Sequence, residues 1–391
     1  MIELPEIRFS VFHSIIVAVL LLSWLHQIYF YSRYLTVILR LKKAERKGKV
    51  NYASSYPPVS VVICARDETD LLAKMLPLVL QQDYPQFEVI VVNNGASEET
   101  DNLLRAFKKT NPHLKSTFVP QGTTNLSTKK LALSLGIKAA SHDWLLFTDA
   151  DCMPQSNTWI QSMARNFVNG TEIVLGYGPY QLKQGWLSRI ITYDTLFTAL
   201  KYLSFAKAGK PFMGVGRNMA YNKTVYVRNN GFTSNLHLQS GEDDLFVNRA
   251  SNRINTRVEC SPDSITVAEP VASLRAWLYQ KQRHLYVVAH YSTRSKLSIS
   301  FEPVTRFLFY GTMIVSLIVF ALYYHWIFLL LPVLIAIIRY AVQVIVINTS
   351  SGVFSERRYF LDLIFFDLYL PLVSLYLKLF GKLRKKVRYS P

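Results

Sequence analysis

Cysteine is scarce in this chain: Cys64, Cys152 and Cys260 are the three in 391 residues. They lie far apart with no ligand-like spacing, which excludes a disulfide framework or a cysteine-rich zinc site and leaves single thiols in a reducing compartment. Acids are also in short supply, 26 Asp and Glu against 44 Lys and Arg, for a formal net charge of +18. Such a surplus can signal nucleic acid. Here most of it flanks apolar runs, where cations meet lipid headgroups and set orientation, so a membrane and no nucleic acid is expected. No Gly-x-Gly-x-x-Gly follows an apolar strand, and the two glycines in Met213-Gly-Val-Gly-Arg-Asn-Met-Ala-Tyr221 make a poor dinucleotide loop. A basic leader and a small-x-small cleavage site are missing around the first apolar run, so it reads as a membrane helix, not a signal peptide.

What is present is apolar material at both ends of an alternating middle. Residues 12–38 are long enough to cross the ~30 Å hydrocarbon layer. Arg40, Lys42, Lys43, Arg46, Lys47 and Lys49 follow at once, which by the positive-inside rule puts the rest of the chain in the cytoplasm. Residues 307–324 and 327–347 read as a hairpin of two spans across Tyr323-Tyr324-His325-Trp326, returning near Arg357 and Arg358. A further run, 360–380, carries Asp362, Asp367 and Pro371. A crossing there would bury acids and leave the basic tail (Lys382, Arg384, Lys385, Lys386, Arg388) outside, so an interfacial or re-entrant helix is expected.

Between the spans, residues 59–64, 87–92 and 143–148 have the β-branched or apolar character of buried strands, and 70–80, 98–109 and 128–140 have helical patterning. That alternation predicts an α/β domain, a mostly parallel sheet with helices on both faces and ligands beyond the carboxyl ends of its strands. Three polar clusters, Cys64-Ala-Arg-Asp-Glu68, Asn93-Asn-Gly95 and Asp149-Ala-Asp151, fall at such ends and are expected to share one crevice. Asp149 and Asp151 alternate, so a strand would aim both the same way, and paired oxygens suit a hard cation such as Mg²⁺ or Mn²⁺. An Asp-x-Asp also caps ordinary turns, so its companions decide.

Those companions resemble a known family. Pro58-Val-Ser-Val-Val-Ile-Cys-Ala-Arg-Asp-Glu68, Gln81-Gln-Asp-Tyr-Pro85, Phe87-Glu-Val-Ile-Val-Val-Asn-Asn-Gly95, Lys129-Lys-Leu-Ala-Leu133, Asp149-Ala-Asp151, Gly241-Glu-Asp-Asp244 and Gln280-Lys-Gln-Arg-His284 are similar, in order, to the motifs of family 2 glycosyltransferases. The membrane layout looks like that of ceramide glucosyltransferases and polysaccharide synthases. The resemblance implies the nucleotide-sugar-binding GT-A fold, Rossmann-like, with transmembrane and interfacial helices added. It implies Asp151 and Asp149 at the metal, and Ala65, Glu68, Asn93, Asn94, Lys129, Asp149, Gln280, Arg283 and His284 at the donor. Asp243 is the implied general base, with Gly214, Gly216, Arg217, Asn218, Glu242 and Asp244 toward the acceptor. Lys130, next to Lys129, reads as solvated.

Two positions depart from the family pattern. Asn93-Asn94 stands where an aspartate is usual and cannot supply charge, although its carbonyl can accept from a base N–H. His284 takes the place of a tryptophan. Residues 186–205 read equally as an interfacial helix facing a lipid acceptor or as core on the sheet.

The expected layout is a transmembrane helix (1–39), a basic linker (40–57), a cytoplasmic GT-A domain (58–270), an interfacial region (271–302), a transmembrane hairpin (303–347), and an interfacial helix with tail (348–391). The expected protein is integral to a membrane, a bacterial inner membrane by this layout. It transfers a sugar, with inversion, from a nucleotide-diphosphate donor (a UDP-sugar) to a lipid or lipid-linked acceptor. A processive polysaccharide synthase is the alternative enzyme, for which the spans are few. A non-catalytic nucleotide-sugar binder is disfavoured by the intact Asp149, Asp151, Asp243 and Arg283, and a transporter by the large α/β middle.

Overall fold

The computed structural model describes residues 10–95, 97–120, 127–324 and 326–381. His325 of the hairpin turn and the basic tail from Lys382 lie outside the described residues. Helix α1 (Val11–Tyr29) starts at Ser10, whose hydroxyl accepts from the His13 N–H, an N-cap. It passes through a π-helical stretch, Phe30–Leu35, into α2 (Val37–Arg46). Then come β1 (Val59–Ala65), α3 (Thr69–Leu80), β2 (Phe87–Asn93), α4 (Glu98–Lys108), β3 (Leu114–Phe118), α5 (Thr128–Ala139) and β4 (Trp144–Asp149). The chain continues through β5 (Cys152–Pro154), α6 (Trp159–Ala164), β6 (Ile173–Leu175), α7 (Trp186–Lys207), β7 (Met219–Asn222), α8 (Lys223–Arg228), α9 (Asp244–Ala250), β8 (Thr256–Val258) and β9 (Thr266–Ala268). Four helices finish it: α10 (Leu274–Val288), α11 (Thr293–Tyr323), α12 (Leu330–Val353) and α13 (Leu361–Phe380).

Among the described residues the main sheet has seven strands, in the order β3-β2-β1-β4-β7-β6-β8, and β5 pairs with β9 in a small second sheet. β1 is parallel to β2 and β4, and β2 to β3; β7 runs antiparallel between β4 and β6. Register explains the crevice. Ala65 pairs with Asn93 and Cys64 with Asp149, so the ends of β1, β2 and β4 stop at one level and release their polar loops side by side.

Strand alternation sends Val59, Val61 and Ile63 to a face covered by α3, α4 and α6, with Trp159 fully buried there. Val62 and Cys64 point to the other face, under α5. That helix needs glycine at 136, where a Cβ would sit 2.6 Å from Val62 Cγ1 and 3.0 Å from Val92 Cγ2. This second face opens into a core that runs without a break through α7 into the π-helical stretch, α2, α12 and α13. Tyr193 stacks on Phe366 at 5.1 Å and Tyr31 lies 6.3 Å from Phe197. The 186–205 segment is thus core packing between the sheet and the membrane helices, most of its side chains being buried.

Four helices, Val11–Arg46, Thr293–Tyr323, Trp326–Val353 and Leu361–Phe380, are long and apolar enough to cross a membrane. Acids in such helices are tolerable only when paired. Asp367 of α13 is paired fully, with Arg339 at 2.6 Å, Arg306 at 3.2 Å, the Tyr310 hydroxyl at 2.5 Å and the Gln343 amide at 3.1 Å. Asp362 at the start of α13 meets Arg189 of α7, and Gly381 at its end abuts Gln282 of α10.

Candidate active site

The cleft is built at the strand ends. β4 delivers Asp149, but the strand stops there, and Asp151 lies in the turn to β5 instead of on the pleat. The turn still brings the pair together: Asp149 and Asp151 oxygens and the Cys152 sulfur all lie within 4.8 Å of one another. Burial lifts the Cys152 thiol well above its usual range, and it donates to Asp151 Oδ1 at 3.2 Å. A neutral thiol beside two carboxylates leaves a hard, oxygen-donating set, the kind Mg²⁺ or Mn²⁺ takes. Burial and then the neighbouring Asp149 raise the Asp151 carboxyl, and no cation lies within 4 Å of it among the described residues. These residues therefore fit a divalent ion, whose charge would relieve that repulsion.

Asp149 itself already has an organic partner. α5 begins at Ser127, which caps the Lys130 N–H, and its first turn points Lys129 into the cleft. Lys129 Nζ lies 2.8 Å from Asp149 Oδ1 and 3.3 Å from Glu242 Oε1. Burial works against charge on both Lys129 and Asp149. The ammonium nevertheless prevails, holding Asp149 below the usual carboxylate range and being itself raised by Asp149 and Glu242. Lys129, Asp149, Gly216, Glu242 and Asp243 line one pocket. The acids scattered through the sequence thus gather at a single place.

Asp243 sits at the N-cap of α9. Gly241 before it has φ +90°, where a side chain is strained, and a Cβ there would meet Leu245 and Val287 at 2.9 Å. Asp243 accepts from the Gly216 N–H at 2.7 Å and the Asp244 N–H at 2.8 Å. Burial and the adjacent Glu242 raise its carboxyl, with those two N–H groups opposing. Asp244 is buried in the first turn of α9 and raised further, by burial and by Asp243.

Other expected site residues divide into two groups. Asn94 Oδ1 is buried without a hydrogen-bond partner among the described residues, beside β1, where its N–H donates to Ala65 O at 2.8 Å. Glu68 is half-buried nearby, lifted to about 7 by burial and then by Asp151 and Asp149. Arg283 reaches Ser240 Oγ at 3.0 Å, and Gln280 donates to the Tyr180 hydroxyl at 2.6 Å. His284 is exposed; partial desolvation, then the neighbouring Arg283 and Lys281, lower its imidazole pKa.

Five expectations are corrected. Asn93 does not face a ligand: it donates to Ser97 O and Asp101 Oδ1 and accepts from the Ser97 N–H, closing the turn into α4. Asn218 is fully buried and holds Trp159, Tyr177 O and Ser264 O. Gly214 is packing, since a Cβ there would press on Leu175 and Val247 at 3.0 Å. Lys130 is not solvated: its ammonium is fully buried and donates to Asn235 O, Leu238 O and Ser240 O at 2.7, 2.7 and 2.9 Å. Arg217, expected toward the acceptor, instead lies toward Asp149 and Asp151, stacked over Tyr180 at 4.3 Å, with its Nη1 buried and unpartnered among the described residues. Tyr180 carried no sequence signal, because it enters the site only through packing against Gln280 and Arg217.

The comparisons agree with this geometry. Residues 149–348 match the family model "Glycosyl transferase family group 2". The chain belongs to that family. Residues 60–228 also match "Glycosyl transferase family 2", so the two matches together run from β1 into α12. The glycosyltransferase AglE of Haloferax volcanii is 28% identical over 207 residues, 51% of this chain and 63% of that one. A poly-beta-1,6-N-acetyl-D-glucosamine synthase of Staphylococcus epidermidis is 31% identical over 94 residues, 24% of this chain and 21% of that one. The matches thus span less than two thirds of these curated relatives. The mannosyltransferase PcManGT of Pyrobaculum calidifontis shares the fold at TM-score 0.56 and 16% identity, covering 95% of this chain and 99% of that one. The GT-A architecture with appended membrane helices follows.

Proposed function

We propose that this family 2 glycosyltransferase moves one sugar from a nucleotide-diphosphate donor, a UDP-sugar in our reading, to a hydroxyl of a lipid or lipid-linked acceptor, with inversion. The observation that carries the reading is the single pocket shared by Lys129, Asp149, Glu242 and Asp243, in a chain that also carries helices fit for a membrane. The PcManGT structure is a complex with GDP-Man and Mn²⁺, which supports a metal-assisted donor site of this kind.

In this reading Asp151 and Asp149 hold a divalent ion, which when bound supplies charge neutralisation on the departing diphosphate. Lys129, Arg217 and Arg283 add fixed positive charge on the same side, and Arg283 can bind phosphate oxygens two at a time. Asn94 Oδ1 accepts from the base, with Ala65 and Glu68 beside it, while Gln280, Arg283 and His284 roof the donor and Gly216 and Glu242 face the acceptor. Asp243 takes the proton from the acceptor hydroxyl as it attacks the anomeric carbon. Its raised proton affinity suits that task, and the Gly216 and Asp244 N–H groups fix its orientation.

We place the catalytic domain in the cytoplasm and α13 in the interface rather than across it. Both ends of α13 touch α7 and α10, which pack on the catalytic domain, and Leu361, Ile364, Phe365, Leu368, Leu372 and Leu375 are exposed on its outer side. The similarity to a polysaccharide synthase keeps processive transfer as a second reading. The test incubates purified membranes with labelled nucleotide sugars, with and without chelator. Chelator-sensitive label in a small lipid product is expected; label in polymer favours the second reading. Donor binding with no turnover for any sugar overturns both.

A further inference from the structure

On the side of the candidate membrane helices, away from the active-site pocket, α2 and the C-terminal end of α12 line an open groove of about 490 Å³. Leu39, Lys42, Lys43 and Arg46 form one wall; Thr349, Gly352 and Val353 form the other. Three cations crowd this space, and none has a carboxylate within 4 Å among the described residues. The one acid of α2, Glu45, turns away to Arg165 at 2.7 Å. The facing end of α12, through Val353, contributes no acid, and the next one along the chain, Glu356, is held by the Tyr177 hydroxyl at 2.9 Å. Gly352 keeps the far wall low, a Cβ there meeting nothing within 4 Å.

Like charges gathered without counter-charge repel one another, and a site that keeps them close favours an anion between them. Two further features specify the anion. The groove lies where the apolar runs of α1–α2 and α12 end, at the depth of lipid headgroups. Its lining also includes two apolar residues, the partly buried Leu39 and the largely buried Val353, which a free ion would not use. Lysine and arginine at this depth bind the phosphate of an anionic headgroup. We propose that this groove binds one phospholipid with an anionic headgroup, its phosphate between Lys42, Lys43 and Arg46 and its acyl chain along Leu39 and Val353. Nothing in this depends on which sugar is transferred or on whether transfer occurs.

The test uses the full chain purified into detergent and counts lipid adducts by native mass spectrometry, with phosphatidylglycerol or phosphatidylcholine supplied. One retained phosphatidylglycerol per chain is expected, and at least tenfold less phosphatidylcholine. The triple variant Lys42→Gln, Lys43→Gln, Arg46→Gln should lose that preference, whereas Lys47→Gln with Lys49→Gln, exposed neighbours outside the groove, should keep it. Equal loss in both variants, or equal retention, overturns the proposal. So does full displacement by millimolar inorganic phosphate, which assigns the groove to the free ion. Should the triple variant fail to fold, a photoreactive phosphatidylglycerol on the unaltered protein decides: labelling centred on Leu39 and Val353 supports the site, and labelling elsewhere overturns it.

Discussion

Lys129 and Asp149 are joined by a 2.8 Å ion pair at the floor of the cleft, and Lys129 alone also reaches Glu242. In the proposed function one ammonium thus ties the donor side of the pocket to the acceptor side. Lys129→Met should leave Asp149 and Glu242 facing each other without compensation. A charged hydrogen bond of this kind contributes roughly 1.5–3 kcal/mol, so donor affinity should fall about 10- to 100-fold. Calorimetric titration with the nucleotide sugar measures it, and an unchanged affinity would separate Lys129 from the donor.

Asp243→Asn retains the two backbone contacts in shape but cannot take a proton. Transfer should drop by roughly 10²–10⁴, the usual contribution of a general base, while donor binding stays near the original. Normal rates in this variant would refute the base assignment.

Asp151→Asn should raise the divalent-ion concentration needed for half-maximal transfer by at least about tenfold, because one of two charged oxygen donors is lost. Mn²⁺ titrations of donor binding, read apart from turnover, check it. An unchanged titration would place the ion elsewhere.

Lys130→Met should act at a distance. Its ammonium satisfies three carbonyls of residues 235–240, immediately before Gly241, and leaving buried acceptors unpaired costs on the order of 1–3 kcal/mol each. A lower melting temperature is expected together with a reduced kcat and little change in donor Kd, since the loop that carries Asp243 loosens. Lys130→Arg should not restore either, because a planar fork cannot serve three carbonyls converging on one point. Rescue by arginine would show that only charge mattered.

Glu68 gives a pH signature. Its carboxyl is raised to about 7 by burial and then by Asp151 and Asp149, so it binds its proton more tightly folded than unfolded. Its contribution to stability is full below the unfolded value near 4.5 and is lost as pH rises through about 7. Glu68→Gln should therefore flatten the decline in melting temperature between pH 5 and 8. Added Mn²⁺, by neutralising the two aspartates, should flatten it in the unaltered protein. A decline that persists in both cases would assign it to other groups.

In the first half of the fold β1, β2 and β4 were legible because they are β-branched or apolar runs of at least six residues with clear turns between them. β3, five residues of mixed character, was missed. Val59–Ala65 and Phe87–Asn93 begin where the reading placed them and each runs one residue further. The second half was not legible. β5, β6, β8 and β9 are three residues each, and β7 is inserted antiparallel beside β4 by contacts between distant segments. At the site, charged residues with a spacing signal, Lys129, Asp149, Asp151 and Asp243, came together. Asn93, Asn218 and Lys130 misled because irregular backbone needs its own hydrogen-bond partners, and polar side chains in loops meet that need as often as they meet a ligand.

The hydrophobic interior shared by the sheet, α7 and the membrane helices has a mechanical consequence. With Tyr31, Phe197, Tyr193 and Phe366 interlocked, the α/β body cannot tilt away from these helices without breaking that packing. Cutting the globular part free for expression as a water-soluble fragment would tear open its own centre.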